Sequence, residues 1–161
     1  MANPMYVYIS VSDLEWRPGS RMIPDEYSHH VGRFAHYMAD KMKELLVDAI
    51  DKRRYDYRWD DLSVSYLRYK KKHNLSLKKW EATGLLKDSI DAYRSNNKWV
   101  VGINPYLSYK DSGVKVLKVA RWLEYGTDRI PPRPLFRPIA RYMRKHVRRY
   151  WNDYKDENNL D

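Results

Sequence analysis

Cysteine is absent from the 161 residues. That excludes disulfides, cysteine-ligated zinc and thiol nucleophiles, and it leaves the redox compartment open. No apolar run approaches the roughly 20 residues that a membrane helix needs. Met1 to Tyr8 lacks the basic-then-apolar order of a signal peptide. The expectation is a protein made and used in the cytoplasm, or in a particle assembled there, without contact to a membrane. Glycine is scarce at 6, and none of it forms a Gly-rich phosphate loop or a strand–Gly-x-Gly–helix unit. Nucleotide-binding chemistry of those two kinds is therefore not encoded, and no cofactor is expected.

Phenylalanine is also scarce, with 2 against 15 Tyr and 6 Trp. Tyr and Trp join an apolar body to a polar tip, so they suit surfaces that are buried only on assembly as well as the rim of a small core. Apolar residues make up 43%, enough for a folded core. The length fits one domain over residues 1–155, followed by a polar tail at 156–161. Net charge is +10, which favours polyanions and acidic partners.

Pro4 to Val11 reads as a strand, and Trp16 to Ser20 as a loop. Pro24-Asp25-Glu26 suits the first turn of a long helix. Its stripe is Val31, Phe34, Ala35, Met38, Met42, Leu45, Leu46, Ala49 and Ile50, and it should end near residues 52–54. Tyr55 to Asp61 reads as a loop, and Ser63 to His73 as a short basic helix. Ser89 to Arg94 and Lys98 to Ile103 read as a hairpin turning at Asn96-Asn97, since asparagine tolerates positive φ. After a loop at Pro105 to Gly113, Val116 to Tyr125 is helical and stops at Gly126. Pro134 opens a closing helix that runs to about Tyr154. The sum is an α+β domain, with a long N-terminal helix and a C-terminal helix packed on a small antiparallel sheet.

Candidate chemistry is thin. His29, His30 and His36 share a stretch of helix, but no acid stands beside them at a metal spacing. Asp60-Asp61 reads as capping the helix that follows. A divalent site for nuclease work from Asp56, Asp60, Asp61 and His73 is the weakest reading. The basic signal is stronger. Arg137, Arg141, Arg144, Lys145, Arg148 and Arg149 lie within residues 137–149, which hold no acid. All but Arg149 fall along one side of a helix. Such a run suits either phosphates or an acidic protein surface.

Two segments carry more than composition. One is Glu81-Ala82-Thr83-Gly84-Leu85-Leu86-Lys87-Asp88-Ser89-Ile90, followed by the hairpin and Val100-Val101-Gly102-Ile103. The other is Ala120-Arg121-Trp122-Leu123-Glu124-Tyr125-Gly126-Thr127, followed by Pro132-Arg133-Pro134-Leu135-Phe136-Arg137-Pro138-Ile139-Ala140. In this order they resemble the tail-component family of lambda-like phages, also called neck or tail-completion proteins. Trp59 to Ser63 and Lys70 to Lys72 are also similar to virion-morphogenesis proteins of contractile-tailed phages.

The resemblance implies a non-enzymatic virion protein of the neck, forming a homo-oligomeric ring, usually sixfold. Its partners would be head-side connector or portal proteins and tail-tube or tail-terminator proteins. It also implies a structural role for Thr83, Gly84, Ser89, Glu124, Tyr125, Gly126, Thr127 and Pro134. Glu124 falls in the last turn of a helix, where the dipole disfavours an acid, so a cation is expected nearby, with Arg129 or Arg133 within reach. The basic helix would line an interface or a channel for genomic DNA. The rival reading is a free nucleic-acid-binding protein that uses the same helix.

Overall fold

The computed structural model describes residues 7–10, 23, 25–96 and 98–160. Among the described residues the architecture is α+β: a three-stranded antiparallel sheet, order β1-β3-β2, with six α-helices around it. The strands are β1 (Val7–Ser10), β2 (Ile90–Ser95) and β3 (Lys98–Ile103). The helices are α1 (Val31–Asp51), α2 (Val64–Lys72), α3 (Leu85–Asp88), α4 (Val116–Tyr125), α5 (Phe136–Lys145) and α6 (Val147–Glu157). The predicted strand over Pro4 to Val11 survives as β1, while its ends and the Trp16–Ser20 loop lie outside the described residues.

A 3-10 turn over Asp25–His30 leads into α1. The side chains that recur at three- and four-residue steps, Val31, Phe34, Ala35, Met38, Met42, Leu46, Ala49 and Ile50, are all buried; Leu45 is only half-buried. Each large one contributes roughly 1.5–3 kcal/mol by leaving water. They pack on the sheet, where Ile90 pairs with Ile103 and Ala92 with Val101. β3 is central and buried on both faces from Val100 to Ile103, because alternate side chains point to opposite sides. Asn96 adopts φ 54° in the hairpin turn, as predicted; Asn97 is not described.

Three expectations need correction. The helix after Tyr55–Asp61 is capped by Ser63, whose Oγ accepts from the Tyr66 amide at 3.3 Å, and not by Asp60 or Asp61. The closing helix is two helices. At His146 (φ −110°, ψ 14°) the helical run is interrupted, and there the ring Nδ1 donates to the Tyr142 carbonyl at 2.8 Å. The last helix also runs past Tyr154, since α6 reaches Glu157 and Leu160 packs against the core. What draws this end in is aromatic. Trp151 meets Phe34 edge-to-face at 5.1 Å and stacks near Tyr154, whose hydroxyl lies 3.0 Å from Nδ1 of buried His30.

Candidate functional site

The residues of the second motif converge on one buried corner. Glu124 lies in the last turn of α4, and its side chain is fully buried. Oε2 accepts from the amides of Leu135 (2.7 Å) and Phe136 (3.0 Å); Oε1 accepts from the amide of Arg137 (3.1 Å) and from its Nε (3.2 Å). These amides are the first, otherwise unsatisfied donors of α5. The acid thus sits at the wrong end of its own helix and the right end of the next. The positive pole of α5 offsets the unfavourable pole of α4.

The expected cationic partner exists, but it is Arg137 rather than Arg129 or Arg133. Its Nη2 also donates to the Glu124 carbonyl at 3.0 Å, and its guanidinium lies 4.7 Å over the Tyr125 ring.

Gly126 makes the turn possible. Its φ of 76° is a region that L side chains rarely adopt, and a Cβ there would meet Ile130 O and Pro132 N at 2.9 Å. Thr127 Oγ1 accepts from the amides of Arg129 (3.2 Å) and Ile130 (3.0 Å), closing the loop. The link beyond it is clamped from outside. Trp80 Nε1 donates to the Arg133 carbonyl at 2.8 Å and Trp59 Nε1 to the Pro134 carbonyl at 3.2 Å. Arg133 itself is buried and donates to the carbonyls of Asp60 and Asp61, both at 3.2 Å. Burial draws its guanidinium below the usual arginine range. Pro134 was expected to open the closing helix; α5 begins two residues later, at Phe136.

The first motif forms a neighbouring corner at α3, which packs on α4. Gly84 precedes α3 with φ 92°. Ser89 is buried, its Oγ donating to the Leu86 carbonyl at 2.6 Å while its own carbonyl accepts from Asn104 at 2.9 Å. Thr83 is exposed and has no hydrogen bond among the described residues.

The basic residues separate. Arg137 belongs to the buried corner, and Arg149 lies 3.9 Å from Asp153. Arg141, Arg144, Lys145 and Arg148 are exposed, without an ion pair among the described residues.

The sequence reading places Lys70 in the short basic helix and gives it no role of its own. It is buried, and its Nζ donates to the carbonyls of Ser76 (2.8 Å), Lys78 (2.7 Å) and Glu81 (2.6 Å). Burial pushes its pKa down to about 8. Lys79 holds the preceding loop in the same manner, donating to the carbonyls of Asp56 (2.9 Å) and Trp59 (2.7 Å). A lysine amid lysines gives no sign of which one turns inward.

No three His, Asp or Glu side chains are grouped to hold a metal among the described residues. Asp61 points into solvent with Lys79 3.1 Å away, and His73 lies against the Tyr69 ring at 4.3 Å. Neither a protein-family profile, nor a curated protein, nor a solved structure matches the chain. The arrangement is one of helix docking: two corners built from backbone caps, and a separate exposed cationic face.

Proposed function

We propose that the chain is a structural, non-enzymatic subunit of a tailed-phage neck, forming a ring that joins or completes the tail at the head–tail interface. The observation that carries this reading is the Glu124 corner. Glu124, Gly126 and Arg137, which the family resemblance singles out or adjoins, are all committed to fixing α5 on α4, and none is left facing an open cleft. A rigidly docked helix with unpaired cations outside it is what a subunit presenting a fixed contact face requires. The remaining exposed Tyr side chains, such as Tyr57, Tyr106 and Tyr142, suit contacts with connector or tail proteins.

Electron microscopy of a lysate from a phage with an early stop codon in this gene tests the proposal. Full heads beside separate tails are expected. Intact joined particles at normal yield would refute it.

A second reading, a free nucleic-acid-binding protein, is favoured by Arg141, Arg144, Lys145 and Arg148, which lack acidic neighbours among the described residues. It requires tight, salt-sensitive binding of duplex DNA by the isolated chain.

A further inference from the structure

Nine large apolar or aromatic side chains are exposed among the described residues. Five of them, Tyr57, Val64, Tyr66, Tyr69 and Leu77, fall between residues 57 and 77. Three are on α2, a helix that makes no extensive contact with another helix or strand. Residues 62–80 hold no acid. Of their cations, Lys70, Lys78 and Lys79 are engaged internally. Arg68, Lys71 and Lys72 are exposed and have no ion pair among the described residues. The exposed side of α2 and its flanking segments thus carry apolar and tyrosine side chains together with unspent positive charge. Val64 and Leu77 offer nothing to a phosphate backbone, so the patch suits a protein surface with acids around an apolar centre.

The chain carries such a surface itself. Between α1 and α6 is a cleft of about 440 Å³. Its lining includes Leu45 and Tyr150, with four acids against one lysine, on a chain of net charge +10. Asp48 is already held by Lys52 and Arg54. The charge available to a partner therefore rests on Glu44, Asp153 and Glu157. Glu44 meets Lys41 at 3.3 Å on an exposed surface, and Asp153 has only a 3.9 Å approach from Arg149. Tyr37, also in the lining, donates to Glu157, and its hydroxyl is pushed up to about 12 by burial and then by that carboxylate.

We infer that the α2 face of one copy docks into the acidic cleft between α1 and α6 of a second copy of this chain. The two patches differ, so the contact is head-to-tail, the type that closes rings or extends filaments. Tyr69 and Val64 would bury against Leu45 and Tyr150, and Arg68, Lys71 and Lys72 would meet Glu44, Asp153 and Glu157. The inference deepens the ring-subunit proposal by naming its two contact faces, and rests on that reading for the closure of a ring.

Sedimentation velocity of the full chain tests it. The average sedimentation coefficient is expected to rise with concentration at low salt. It should fall back toward the monomer in 1 M salt, where the screening length is about 3 Å. Arg68→Glu/Lys72→Glu and Glu44→Lys/Asp153→Lys change side chains that are exposed or, at Asp153, half-exposed; each variant should keep the wild-type circular dichroism and be monomeric alone. Mixed in equal amounts, they retain one intact pair of faces, so a dimer and nothing larger is expected. A wild type that stays monomeric throughout, or variants that associate as the wild type does, would overturn the inference. So would duplex DNA that binds the monomeric wild type and loses binding in the α2 variant, since the face would then belong to nucleic acid. Intact particles from the stop-codon phage, with self-association unchanged, would remove the neck role and leave the contact standing.

Discussion

Glu124 closes one helix and opens the next, with its Oε2 2.7 Å from the Leu135 amide, eleven residues along the chain. In Glu124→Gln, an NH2 must replace one acceptor oxygen among three amides and a guanidinium, all of them donors. We expect a loss of roughly 1–3 kcal/mol, the cost of leaving a buried donor without an acceptor, since the Arg137 side chain left behind is half exposed. Urea unfolding of the variant checks this, and a change below about 1 kcal/mol would show that the corner contributes little.

Gly126→Ala places a Cβ 2.9 Å from two backbone atoms at a φ of 76°. Neither neighbour is a flexible side-chain tip, so the turn itself must shift. We expect several kcal/mol of destabilisation and a drop in thermal midpoint of 10 °C or more, on the scale of about 2–4 °C per kcal/mol for a domain of this size. Gly113→Ala is the control. It has a similar φ of 67° with nothing near its Cβ, so it should lose only the backbone strain, about 1 kcal/mol.

Lys70→Met keeps the stem of the side chain and removes its three donors. The carbonyls of Ser76, Lys78 and Glu81 then lose their partner, at a cost of roughly 1–3 kcal/mol for each one kept from water. Lys71→Met, one residue on and exposed, should change stability by less than about 0.5 kcal/mol. Equal effects in the two variants would contradict the buried geometry.

His30 lies against Tyr154, and burial, followed by His29 and Arg33, lowers its pKa below the ordinary value of 6.5. As pH falls below 6.5, the unfolded chain takes up a proton that the folded chain resists. This group's contribution is therefore present above that value and lost as pH falls toward the folded pKa. Melting temperature should decline between pH 7 and 5, and His30→Gln should flatten that part of the curve. An unchanged slope would show that His30 does not titrate under strain.

The outer cations of α5 and α6 should give weak duplex binding with a measurable salt slope. Replacing Arg144 and Arg148 by Ala should lower that slope by about 2, close to one released counterion per phosphate contact. Arg137→Ala should act mainly on stability, because that side chain is held by Glu124 and Tyr125.

Periodicity marked α1, the β2–β3 hairpin and α4 directly, because a one-sided core writes its spacing into the chain. The Gly126 stop and the asparagine turn were legible for a similar reason: few residues tolerate positive φ. The break at His146 was not, since an unbroken apolar stripe runs through it and only a side-chain bond to Tyr142 marks the change. Nor was the partner of Glu124. Arg129 and Arg133 are both nearer in sequence than Arg137, and the turn at Gly126 decides that the farthest of the three comes back.

By itself, the sequence determined the α+β class, the position of the long helix, and the presence of two glycine-marked corners. Local propensity and hydrophobic period act over a few residues and need no knowledge of the rest. Only the tertiary structure decided which cations are structural and which are free. Lys70 and Arg133 turn inward to carbonyls, and Arg137, though half exposed, is held by the buried carboxylate of Glu124. Arg68, Lys72, Arg141 and Arg144 meet no such acceptors among the described residues and stay in solvent. Charge in a sequence is counted by residue. Its use is set by which acceptors the fold brings within about 3 Å.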